Sequence, residues 1–417
     1  MRLTQILFLG SVLCSLGVCK TPVRVLSYTD IANNNKPGTH FLITDPINLN
    51  KETVELPVNS ILIFSGDGRI INGIIKGNDS EIRAERNLIF DNIEVEGEWA
   101  NRVVYSEWVP MKKGNIDNSA SFKNLMSLCK GDRFTHLYVQ EGIFSVAAQK
   151  GTAPIKVPSN TYWHNAATIK LLPNSFEKFY IVYLNMVDNV TIDGGSFVGD
   201  ALNHKGTTGE WGHGIKCGGA TRVKLLNLTC SYCWGDGIDL IEGIQNGSVS
   251  RICNNIMIDN VKCLNNRRQG MSIEAASNVR VSNSEFAYTG TPLFSSPGAG
   301  VDIEPWDNSC DKVWNISLIN CLLHDNKNYD FICEPNIQKK ERYRTLKNNI
   351  VVSGCKMGVA LIKYVYGVKI INSSIDSDLA MTMAEDIMIK DSHVEKHSKT
   401  RYVKKLRFNR CTGRGLK

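Results

Sequence analysis

The chain predicts an all-β fold, a right-handed parallel β-helix. Three observations predict it: two interleaved ladders of short motifs, and the absence of any helical period over residues 160–380. The first ladder reads apolar-x-apolar-x-Asn/Gly, at Val190–Gly194, Val223–Asn227, Ile256–Asn260, Val279–Asn283, Ile316–Asn320, Ile350–Gly354 and Val368–Asn372. The second reads Gly-apolar-x-apolar, at Gly214–Cys217, Gly237–Leu240, Gly270–Ile273 and Gly300–Ile303. Self-similarity with an irregular period of roughly 18–37 residues marks a solenoid in which each repeat is one coil. The apolar/polar alternation gives strands with one buried face. The recurring Asn or Gly suits a corner that needs the left-handed conformation, and Asn there can bond to the coils above and below. A sandwich or propeller would show more even spacing and hairpin turns.

From the N-terminus, residues 1–19 read as a secretory signal: Arg2, an apolar run from Ile6 to Val18, then small residues. The run is too short to span a membrane. Val18 before Cys19 argues against a lipidated cysteine. The expected destination is secreted or periplasmic, with the cell surface as an alternative. Residues 20–105 form a β-rich module containing Asn59–Phe64, Arg69–Ile75 and Asn87–Val95. Residues 106–389 hold a capping helix and the main solenoid. Asp117 and Asn118 can cap a helix whose apolar positions Phe122, Leu125, Met126 and Cys129 follow i, i+3, i+4, i+7 and stop at Gly131. Such a helix would cover the open end of the solenoid.

The net charge of +7 is concentrated in 390–417, where ten Lys/Arg face Asp391 and Glu395. This segment is expected as a solvated basic tail. No motif supports nucleic-acid binding. Eleven cysteines follow the signal. Cys230 and Cys263, at equivalent ladder positions, read as buried small hydrophobes, while one pair among Cys253, Cys310 and Cys333 could bridge. No cluster has metal-site spacing.

The second ladder locates the chemistry. Aligned on its glycine, the residues one and three places on are apolar and point inward, so those two and four places on point outward. The outward columns are Lys216, Asp239, Ser272, Asp302 and then Gly218, Ile241, Glu274, Glu304, with His213, Asp236 and Gln269 at the bend. Neighbouring rungs are about 4.8 Å apart. Asp236, Asp239, Glu274, Asp302 and Glu304 therefore gather on one face as catalytic candidates. His213, Lys216, Arg267 and Arg268 stand beside them as substrate-binding candidates. Stacked like charges are disfavoured unless a ligand or proton offsets them, which points to a site over mere solvation. Corner-to-glycine spacing is ten residues at 227/237 and 260/270 but twenty at 194/214 and seventeen at 283/300. The extra residues make loops that would wall a groove and bring in Glu210 and Trp211. Trp234 and Trp306 are further platforms for a sugar ring.

Gly209–Ile215, Cys233–Ile238, Asn265–Ile273 and Gly298–Pro305 resemble segments of exported bacterial β-helix proteins of the pectin-lyase-like superfamily. Asp117–Phe122 and Val139–Phe144 resemble the opening of that fold in tailspike and pectate-lyase-like proteins. The similarity covers most of residues 50–380. It implies a polysaccharide or oligosaccharide partner. Asp236, Asp239 and Asp302 are a loose analogue of the three aspartates that polygalacturonases carry on adjacent coils. The expected function is an inverting glycoside hydrolase without a cofactor. The alternatives are a polysaccharide lyase using Ca²⁺ on uronates, and a non-catalytic carbohydrate-binding solenoid.

Overall fold

A computed structural model of the chain describes residues 21–245, 247–305, 312–334 and 348–416. The expected signal at 1–19, Trp306 and Cys310 lie outside the described residues. The chain winds as a right-handed parallel β-helix, and every rung-to-rung pairing is parallel. The central coils give one strand to each of three faces, as in Thr221–Leu226, Thr229–Ser231 and Ile238–Ile241, while from Lys356–Lys363 onward one long strand runs through the second and third faces.

The first face is a twelve-stranded sheet from Val103–Tyr105 to Lys404–Asn409. Its strands end on the first ladder's corner residues, and these are left-handed: Asn227 at φ 53, Asn260 at φ 52, Asn283 at φ 51. Asn227 Nδ2 donates to Asp193 Oδ1 (2.8 Å) and Asn260 Nδ2 to Asn227 Oδ1 (2.9 Å), so the corners zip along the axis. A second asparagine ladder, Asn278–Asn315–Asn349, runs along the corner that opens the same face.

Inside, Val223, Ile256 and Val279 stack in register, as do Leu225, Ile258 and Val281. All are buried. Each such side chain contributes roughly 1.5–3 kcal/mol when removed from water, which makes the stack the main source of stability. Cys230 and Cys263 pair on the second face and are buried, as small apolar residues would be. Cys253 and Cys333 lie in strands, not connections. The Cys253 thiol donates to the carbonyls of Cys217 and Ile241 (both 3.3 Å) and carries no bridge.

An α-helix runs Ser119–Leu128. Asn118 makes no side-chain cap; its amide instead donates to the carbonyls of Lys112, Ile116 and Ser145. The helix lies between the N-terminal module and the first coils. Asn124 bridges it to Ile93 O and Val95 N, and Phe122 meets Trp163 at 6.3 Å. The module before it is itself a small parallel β-helix, with Arg69–Arg83 pairing alongside Phe90–Trp99.

Residues 390–416 of the segment expected as a solvated tail continue the solenoid. Lys404–Asn409 pairs with Glu385–Lys390, and Thr412–Arg414 pairs with His393–Arg401. Arg407, in the strand Lys404–Asn409, meets Asp386, and Arg410, at the left-handed corner after it, meets Asp391. No helix among the described residues is long and apolar enough to cross a membrane.

Candidate active site

The third face carries the site. Its strands Trp211–Gly218, Ile238–Ile241, Gln269–Ile273 and Ala299–Ile303 pair in sequence. Lys216 aligns with Asp239, Asp239 with Ser272, and Ser272 with Asp302. The alternate residues Ile215, Ile238, Met271 and Val301 fill the core. Alternation therefore puts the polar column on the far side of the sheet from the core.

The column is not an open groove. Asp239 is 1 % exposed and Asp302 2 %, and His213, Asp236, Arg268, Ser272 and Glu274 are also buried. The side chains pack into a polar layer of their own. Lys216 Nζ donates to Asp239 Oδ2 and lies 5.0 Å over the Tyr180 ring. Arg268 reaches Asp236 Oδ2 (3.0 Å) and Glu304 Oε1 (3.0 Å), and its Nε stands 3.6 Å from Glu210. Gln269 Nε2 donates to Asp302 Oδ2 (2.8 Å) and Glu304 Oε1 (3.0 Å). Ser272 Oγ donates to Asp236 Oδ2 (2.7 Å). One oxygen each of Asp239 and Asp302 is buried without a hydrogen-bond partner among the described residues.

These surroundings separate the acids. Burial raises Asp302, and Glu304 adds to the rise. Burial raises Glu274 likewise, reinforced by Asp239 and Glu304. Burial pushes Asp236 up to about 7 even though Arg268 opposes it. Asp239 goes the other way: burial would raise it, but the Lys216 ammonium holds it below the usual carboxylate range. Lys216 stays charged, because Asp239 outweighs its own burial. Burial drives His213 down to about 3. His213 Nδ1 accepts the Asp236 N–H (3.1 Å), so the neutral ring carries its proton on Nε2, 3.6 Å from Asp239.

Two expected contributors sit elsewhere. Arg267 donates to the carbonyls of Gly209 (2.9 Å) and Trp234 (3.0 Å), pinning the 199–211 loop instead of facing the carboxylates. Trp234 is buried, stacked on His204 at 4.0 Å and covered by the Arg267 guanidinium at 3.8 Å, so it is no open platform. Trp211 remains 40 % exposed. Three participants escaped the sequence reading. Gln269 and Ser272 were visible in the columns but bore no charge. Tyr180 pairs with His213, in a coil where Ile181 replaces the ladder glycine and hides the repeat. Among the described residues, no group of three or more His, Cys, Asp or Glu side chains converges as a metal-ligand set. Asp236 and Asp239 are already paired with Arg268 and Lys216.

No family model matches the chain. An uncharacterized Bacillus subtilis (strain 168) protein, YclG, is 25 % identical over 229 residues, which is 50 % of this chain and 39 % of that protein. The chain thus spans well under half of that relative's length. Among solved structures, the A-modules of the Azotobacter vinelandii mannuronan C-5 epimerases AlgE4 and AlgE6 superpose with TM-scores of 0.55 and 0.52. Each match covers 74 % of this chain, with 96 % and 94 % of the modules covered, at 10 % and 11 % identity. These matches agree with the parallel β-helix.

Proposed function

We propose that the chain is an exported polysaccharide-active enzyme that cuts glycosidic bonds by inverting hydrolysis on its third face. One observation carries this reading: within a single column, burial and Glu304 raise Asp302, while Lys216 outweighs burial and lowers Asp239. Environments that drive two like groups apart supply an acid and a base at the same pH. The two lie two rungs apart, about 9.5 Å at the backbone, near the roughly 6.5–9.5 Å of inverting pairs. Asp302 gives its proton to the leaving oxygen as the glycosidic C–O bond breaks. Asp239 takes a proton from the water that attacks the opposite face of the ring. Arg268 and Lys216 hold the substrate, with Glu274 and Glu304 as acceptors for its hydroxyls and Trp211 as the exposed ring. Because the pair is buried, substrate has to displace side chains that now cover it.

A second reading, β-elimination on a uronate, would take the ring proton on Asp239, whose carboxyl Lys216 holds below the usual range despite its burial. The shared fold with enzymes of mannuronan is compatible with such a substrate. No calcium step is assigned: Asp236, Asp239 and Glu304 are already paired with Arg268 or Lys216. The test is incubation with plant, algal and host glycans, reading reducing ends and unsaturated products. Asp302→Asn and Asp239→Asn should each lose at least about 100-fold. Full activity in either variant ends the hydrolase reading, and unsaturated products select the second.

A further inference from the structure

The first face bears a second cluster that the proposed chemistry does not use. Segments Thr135–Val139 and Thr161–Asn165 pair so that Tyr138 lies against His164 and His136 against Tyr162; Tyr105 lies against Tyr138 one rung earlier. Alternation puts all five rings on the outside of the solenoid. Tyr105–Tyr138 at 5.7 Å and Tyr138–His164 at 4.3 Å, with planes 3° apart, stack along the axis, and Tyr162–His164 at 4.1 Å stack along one strand. His136 Nδ1 and His164 Nε2 share a hydrogen bond of 3.0 Å, and Tyr162 Oη donates to Asp193 Oδ2 (2.8 Å). Burial and the neighbouring His136 hold His164 below its usual value. The exposed Arg86 lies 4.3 Å over Tyr105 and 5.6 Å over Tyr138.

This rack forms one side of a cleft of about 390 Å³ lined by Arg86, Glu107, Tyr138, Gln140, His164 and Asp193. Its volume falls in the range of small-ligand sites, roughly 300–1,000 Å³. The Arg86 guanidinium, the Tyr138 hydroxyl and the Gln140 amide make no hydrogen bond to any described residue, although stacking fixes two of the three. The rings face one another, so the cleft meets their edges. It offers donors and acceptors side by side, the complement of a ring carrying several hydroxyls. Arg86 stands against two carboxylates, Glu107 and Asp193, a balance that disfavours a polyanion.

We infer that this cleft is a second glycan site, holding a neutral sugar segment on a different face of the solenoid from the carboxylate column. The choice of ligand class rests on the polysaccharide reading above, but the test reads binding and needs no turnover. The full chain is run in affinity gels and titrated with soluble β-glucan, mannan and xylan, with polygalacturonate and alginate as anionic counterparts. At least one neutral glycan should bind, equally in the natural chain and in Asp302→Asn. Arg86→Ala, at an exposed position, and Gln140→Ala, at a half-buried one, should each weaken it at least tenfold with an unchanged circular dichroism spectrum. Tyr138→Phe, which keeps the stack and removes the hydroxyl, should weaken it too. Binding confined to the anionic glycans, binding lost in Asp302→Asn, binding indifferent to all three cleft variants, or no binding at all would each overturn the inference.

Discussion

Replacing Lys216 by Met isolates the electrostatics of the column. Lys216 Nζ is the partner of Asp239 Oδ2, whose other oxygen has none among the described residues, and His213 stands 3.6 Å away as a neutral ring. Without the lysine, Asp239 is a buried carboxylate with no cation in contact. Breaking such a pair costs about 3–5 kcal/mol. A ceiling follows from proton uptake: holding Asp239 protonated at pH 7, against an unfolded value of about 3.9, costs about 4 kcal/mol at 1.36 kcal/mol per pH unit. At pH 5 the same ceiling is about 1.5 kcal/mol. The sign is fixed. In the natural chain Asp239 lies below its unfolded value, so its contribution is present above that value and lost only in stronger acid. In the variant it lies above, so stability is retained in acid and lost as pH rises. Urea unfolding at pH 5 and pH 7 should therefore show a Lys216→Met deficit that grows by roughly 2–3 kcal/mol over that interval, and Asp239→Asn in the same chain should recover most of it. A deficit equal at both pH values, or untouched by the second substitution, refutes the reasoning.

Asp236, raised to about 7, should make the folded chain lose stability as pH climbs from about 4 towards 7, and Asp236→Asn should flatten that slope in thermal melts. Burial pushes the thiols of Cys217, Cys230 and Cys233 well up. Mass spectrometry after brief alkylation should find the half-buried Cys411 labelled first and those three only in denaturant. At the corner, Asn260→Ala should cost about 1–2 kcal/mol for the left-handed backbone and about 1 kcal/mol for the lost ladder bond. Asn260→Gly should recover the backbone share, which denaturation midpoints would read.

The fold was legible because it is written locally. Each corner Asn and each ladder Gly marks its own coil, and the period-2 alternation fixed which side of the third face Asp239 and Asp302 occupy. What stood above that column was not legible, because burial depends on contacts between distant coils. Nothing in Arg267-Arg268 says that the first guanidinium pins Gly209 while the second spans Asp236 and Glu304. Trp234 looked like a sugar platform until His204, thirty residues earlier, closed over it. The basic run after residue 390 misled through composition: its apolar partners Leu406 and Phe408 carry the strand alternation, but charge dominated the reading. The rings of the first face alternate visibly in both segments, yet their stacking required the register between two coils.

The left-handed corners have an architectural consequence. Because Gly194, Asn227, Asn260 and Asn283 each restart the winding, the ten residues that separate corner from ladder glycine in one turn can become twenty in another without tilting the rung that follows. Lys216, Asp239, Ser272 and Asp302 stay plumb across connections of unequal length. Insertions at that edge can thus reshape what surrounds the acids while the acids themselves hold station.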